Sequence, residues 1–166
     1  MSGLQHPVVG LDHLAFIVVL GVVAALTRAG TPLILGFLAT AAIGTCARAA
    51  NFDYPFVEQL VSLSVVLAGL LIALGLGARK VLWLPLALIA GLLHGYAFGE
   101  EALGADRPVI AAYMLGVTVV CSALLVAVML LASKILPDAG SRTLRLAGAL
   151  VGILGIVLLA QLLTNG

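Results

Sequence analysis

Residues 108–132 read PVIAAYMLGVTVVCSALLVAVMLLA, twenty-five positions without one Asp, Glu, Lys, Arg or His. About 20 mostly apolar residues in a helix cross the hydrocarbon core of a bilayer, and this stretch exceeds that length. The pattern recurs on both sides of it. Apolar runs at about 7–27, 31–50, 56–78, 81–99 and 144–163 complete a set of six. They predict one all-α domain over 1–166, a polytopic bundle of six transmembrane helices with short loops.

Composition agrees. The chain is 63% apolar and 9% charged, with a mean hydropathy of +1.28, whereas soluble domains run at roughly 45–50% apolar and about 25% charged. So few charges cannot clothe a water-facing surface, and eight Lys and Arg against seven Asp and Glu leave no basic footprint for nucleic acid. The alternating segments of about ten residues that a β-barrel needs are missing. The prolines respect the parse: Pro7, Pro32, Pro55 and Pro108 fall at or beside helix starts, Pro85 within about the first turn of span four, and Pro137 after span five. Near a helix start a missing N–H costs little.

Basic residues set the expected orientation. Arg28, Arg79, Lys80, Lys134, Arg142 and Arg145 lie on one side and Arg48 and Arg107 on the other, which places both termini outside. Acidic residues segregate the opposite way: Asp12, Asp53, Glu58, Glu100, Glu101 and Asp106 outside, Asp138 inside. Residues 1–27 lack the plan of a signal peptide and read as a span, so either a signal was removed earlier or the short N-terminus crosses unaided. Cys46 and Cys121 lie at different depths and are not expected to pair. Gly36, Thr40 and Gly44, Gly91, Gly95 and Gly99, and Gly148, Gly152 and Gly155 form small-residue stripes. Such stripes let helix backbones approach closely in lipid, with one stripe available for contacts in a homo-oligomer or larger membrane complex.

Chemistry collects at the outer half. His6 and His13 are seven residues apart on span one, with Asp12 beside His13; His94 lies near the outer end of span four, followed by Glu100 and Glu101; Glu58 opens span three, with Ser62 a turn below. At ~1.5 Å per residue His13 and His94 share one depth. An ionisable group in a bilayer costs ~2.5–3.5 kcal/mol even on insertion scales, so each needs a partner or a task. Two histidines with a carboxylate suit a borderline divalent cation such as nickel, cobalt or zinc, and the outward C-terminal ends of spans two and four favour a cation there. Taken singly, Asp12 and His13 are equally well read as hydrogen-bonding glue between helices.

The stretches HPVVGLDH at 6–13 and HGYAFGEE at 94–101 resemble the two motifs of the HupE/UreJ membrane proteins, accessory proteins of hydrogenase and urease operons regarded as nickel or cobalt permeases. The resemblance extends over nearly the whole chain, including Glu58, Tyr113, Gly116 and the glycine-rich sixth span. It implies that His6, Asp12, His13 and His94, with Glu58 or Glu101, handle metal in a bacterial inner membrane. Phe98 stands where many members carry a histidine, and Leu125 where another often lies.

These readings point to a permease for a divalent transition metal, not an enzyme, with an outward His/Asp site. Thr40, Thr118, Cys121 and Ser122 form the candidate permeation path. Met114 and Cys121 offer sulfur to a soft ion such as copper(I), although Met and Cys are also ordinary packing residues. No phosphate-loop motif is present to drive transport by nucleotide hydrolysis. The alternatives are a non-transporting metal-binding or structural subunit of a membrane assembly, and an intramembrane zinc hydrolase.

Overall fold

A computed structural model describes residues 6–27, 29–136 and 141–165; the side chains of His6, Val8 and Asn165 also lie outside the description. Arg28, Pro137 and Asp138, which entered the charge and proline arguments, fall outside the described residues. Every described element is helical: α1 (His6–Val9), α2 (Leu11–Leu26), α3 (Gly30–Ala49), α4 (Val57–Ala73), α5 (Lys80–Gly99), α6 (Arg107–Ile135) and α7 (Arg142–Asn165). A 3-10 turn, Glu100–Ala102, continues α5. Four helices, namely α3, α5 with its turn, α6 and α7, are long and apolar enough to cross a membrane. Of the other three, α2 and α4 are apolar but have 16 and 17 residues, and α1 has four.

Three boundaries depart from the sequence expectation. The first span breaks at Gly10, whose extended backbone (φ −71°, ψ 109°) separates α1 from α2. His6 and His13 therefore do not share one continuous helix face. The third span stops at Ala73 because the chain turns through Gly75 at φ +76°, a conformation that costs glycine little. The fourth begins at Lys80, which puts Pro85 in its second turn.

The helices associate in pairs through the glycine stripes. α3 and α5 run parallel: a Cβ added at Gly95 would strike the Ala41 carbonyl, and one at Gly44 the Leu92 carbonyl and Tyr96 nitrogen. Thr45 joins the same seam, its Oγ1 lying 2.8 Å from the Gly95 carbonyl and 3.0 Å from that of Ala41. α4 and α7 run antiparallel, with Gly69 against Gly148 and Gly152, and Gly155 against Val65 and Val66. Arg145 of α7 donates from Nε to the Ala73 carbonyl at 2.9 Å, satisfying an orphan acceptor at the end of α4. α2 fills the centre, burying Phe16, Ile17, Leu20 and Val23 completely and meeting α6 where Gly21 faces Val128.

The seams predict where added volume hurts. Gly69→Val should destabilise the protein by about 1–3 kcal/mol, the usual cost of overpacking, read as a lower thermal midpoint in detergent. Gly77→Ala, where the nearest atom to a new Cβ is a Leu26 methyl at 3.4 Å, should leave the midpoint unchanged. Equal effects would refute the α4–α7 seam.

Candidate metal site

Asp12 and His13 occupy the first turn of α2, where the Asp12 Oδ1 accepts the His13 backbone N–H at 2.8 Å. This folds the carboxylate back beside the imidazole, leaving Oδ1 3.9 Å from Nδ1 of His13. Gly10 makes room for the arrangement: a Cβ there would lie 2.8 Å from His13 Cδ2 and 3.2 Å from Asp12 Oδ1. The requirement is for space, since the φ of Gly10 is ordinary.

His94 reaches the same point from α5. Its Nδ1 lies 2.9 Å from Nδ1 of His13, and both residues are buried. The other nitrogen, Nε2, lies 3.0 Å from the Ser64 hydroxyl of α4. Proton positions follow from counting. Ser64 has one hydroxyl proton, and its Oγ is 2.6 Å from the Val61 carbonyl, which can only accept. Ser64 therefore accepts from His94, so His94 carries its proton on Nε2. The bare Nδ1 of His94 accepts from Nδ1–H of His13, and a neutral His13 ring then has its lone pair on Nε2. Phenyl rings enclose the pair: Phe98 lies 4.7 Å from the His13 ring, and Phe16 and Phe37 lie 4.8 and 6.0 Å from that of His94.

Beside Asp12 a cavity of about 760 Å³ opens, lined also by Arg48, Asp53, Glu58, Ser62 and Glu100. Four carboxylates face one guanidinium across it. Arg48 binds Glu100 through two nitrogens, NH2 to Oε1 at 2.9 Å and Nε to Oε2, with Asp53 at 3.7 Å. The loop between α3 and α4 forms part of the rim. Tyr96 fastens it by donating to the Phe52 carbonyl (2.6 Å) and accepting from the Tyr54 N–H (2.7 Å). The Ser62 hydroxyl on this wall is buried and has no hydrogen-bond partner among the described residues.

The structure thus joins His13, His94 and Asp12, and sets Glu58 on the wall that Asp12 shares. Glu101 stands in the exposed 3-10 turn, outside that lining. The His6 side chain lies outside the described residues. Among the described residues, no three His, Cys, Asp or Glu side chains are grouped to hold a metal as they stand. Of the polar path residues, Thr118 and Cys121 share a crevice of about 10 Å³ between α3, α5 and α6. Thr40 lies in the α3–α5 seam against Gly91, and Ser122 bonds to the Thr118 carbonyl of its own helix. Ser64 and Arg48 were not singled out by the sequence reading. A serine in an apolar helix must place its hydroxyl somewhere, but only the fold says on what.

The proton count is open to measurement. In a 15N-histidine-labelled sample, His94 should be protonated on Nε2 and His13 on Nδ1, and Ser64→Ala should abolish the fixed His94 tautomer. A His94 protonated on Nδ1 in the wild type refutes the assignment.

The two histidine stretches, the burial of an imidazole pair within apolar helices and the glycine seams together describe a membrane protein built around one polar core. No curated protein and no solved structure matches the chain. A family model described as HupE / UreJ protein matches residues 1–158, and the chain accordingly belongs to the HupE/UreJ family.

Proposed function

We propose that the protein is a six-span permease for a divalent transition metal, nickel or cobalt above zinc or copper, loaded from the acidic face. The observation that carries this is the buried His13–His94 pair beside a cavity lined by carboxylates. A cleft of one charge sign concentrates counter-ions, and neutral imidazoles then offer donors that a borderline metal prefers over water. The Nδ1 atoms are 2.9 Å apart, the length of the hydrogen bond between them, and a metal held by both nitrogens would replace that bond. For both Nδ1 atoms to ligate, His13 must move its proton to Nε2, which releases none to solvent. Asp12, Glu58, His6 and water would supply the remaining positions.

The helix pairing supports a reading of six crossings. With α3 and α5 parallel, α4 must return between them, and α7 runs against α4. At ~1.5 Å per residue α2 and α4 span roughly 24–26 Å, short of the ~30 Å core, a mismatch that bilayers absorb by local thinning. α1 ahead of α2 adds to the first crossing. The basic residues at the opposite end support an orientation with the acidic cavity and both termini outside. A fluorescent protein that matures only in the cytoplasm, fused after Gly166, should therefore stay dark; bright fluorescence from correctly inserted protein refutes the orientation.

Metal binding is the decisive measurement. His13→Ala and His94→Ala should each abolish stoichiometric nickel or cobalt binding in calorimetry, and acidification should weaken the wild type because ligating nitrogens must be unprotonated. Unchanged binding in both variants refutes the site. The phenyl rings and the fully buried Ile17, Leu20 and Leu125 around and beyond the pair favour a second reading, a metal-binding subunit that does not transport. Proteoliposomes separate the two: the permease admits radioactive nickel above empty liposomes under an ion gradient or membrane potential, whereas the subunit binds it and admits none.

A further inference from the structure

The α3–α5 seam is backbone-tight only toward the acidic end. Gly44, Gly91, Gly95 and Gly99 all lie there, and the last glycine toward the basic end that faces α5 is Gly36, which meets a Leu88 methyl group; Gly30, at the start of α3, is turned to Met129 of α6. Beyond Gly36 no glycine faces the partner helix, and side chains stand between the two backbones. The result is a groove of about 450 Å³ lined by Ala29, Pro32, Leu33, Val81, Leu84 and Pro85, with Lys80 at its end. The lining is apolar because it belongs to the N-terminal ends of two apolar helices. Short or tied-back side chains (Ala29, Pro32, Pro85) leave it unfilled.

Charge decides what fits. Lys80 lines the groove and Arg79 directly precedes it in the chain; both are exposed, and neither has an ion-pair partner among the described residues. Six of the seven acidic residues, Asp12, Asp53, Glu58, Glu100, Glu101 and Asp106, belong to the opposite end. The parallel helices also bring two positive dipole ends side by side, and neither first turn carries an acidic residue. An apolar slot that ends in unpaired cations where two membrane-length helices begin is complementary to a molecule with an apolar chain and an anionic head.

We infer that this groove binds one anionic phospholipid, its acyl chain between α3 and α5 and its phosphate at Lys80 and Arg79. The inference does not rest on the metal reading, because the groove and the histidine pair lie at opposite ends of the same seam. Trp83, the only tryptophan of the chain, lies within three residues of every α5 residue of the groove and reports on its occupant.

The full-length protein is reconstituted into phosphatidylcholine vesicles containing phosphatidylglycerol brominated on its acyl chains. A matched set carries the bromines on phosphatidylcholine instead. Trp83 quenching should reach its midpoint at an about fivefold lower mole fraction of the brominated anionic lipid, as expected for about one basic residue engaged at the surface. Lys80→Gln should abolish the preference and Lys80→Arg should keep it. Ala29→Phe, which fills the groove without touching charge, should reduce quenching by both lipids. Equal quenching by the two lipids in the wild type overturns the proposal, as does a preference that Lys80→Gln and Ala29→Phe both leave intact.

Discussion

The close approach of Gly95 to Ala41 sets the geometry on which most of the structure depends. Inside a bilayer the tails are as apolar as leucine, so hydrophobic burial does not sort one helix face from another. Contact at van der Waals distance does, and glycine extends it to the backbone. The stripe Gly91–Gly95–Gly99 lays α5 along α3, and Thr45 bridges the seam to the Gly95 carbonyl. His94 immediately precedes that glycine. With Gly95 turned to α3, His94 is directed about 100° away around the helix, to where α2 and α4 meet. The packing residue and the chemical residue are neighbours in sequence because the first orients the second.

A hydrogen-bond chain then completes the orientation. An imidazole in an apolar interior can settle in either tautomer and either flip, and a site with several such states binds nothing well. Here the Val61 carbonyl, a pure acceptor, starts a sequence of donors that runs through Ser64 and His94 to His13. Each member is fixed by the one before it. Fixing the tautomer through the second nitrogen is how proteins commonly prepare a histidine to ligate. The phenyl rings of Phe16, Phe37 and Phe98 exclude water that would otherwise offer competing partners.

How much of this was legible depends on the distance over which each signal acts. The all-helical class was readable because bilayer length and composition are local properties of a run such as 108–132. The stripes predicted close packing, but not that the stripe at Gly91 would meet the one at Gly36 while Gly148 met Gly69: a stripe says that a helix has a partner, not which. Depth counting put His13 and His94 at one level, yet a level is a ring of positions, and only the fold brings the two rings to contact. The break at Gly10 was hidden because the apolar pattern runs through it. The clue was the glycine directly before an aspartate and a histidine, where a side chain would collide with both.

Two ends of one seam carry opposite tasks. Where glycines continue to the helix ends, the backbones touch, and the space left beside them is bounded by the short loops and their carboxylates. Arg48, held by Glu100 and above the Tyr96 ring, keeps that wall from becoming a repelling cluster of like charge. Where the glycines stop, the same two helices diverge around side chains and leave a slot whose rim is basic. A single sequence choice, how far a glycine stripe extends along α3 and α5, thus fixes both the tight end that holds the histidine pair in place and the open end that meets the lipid.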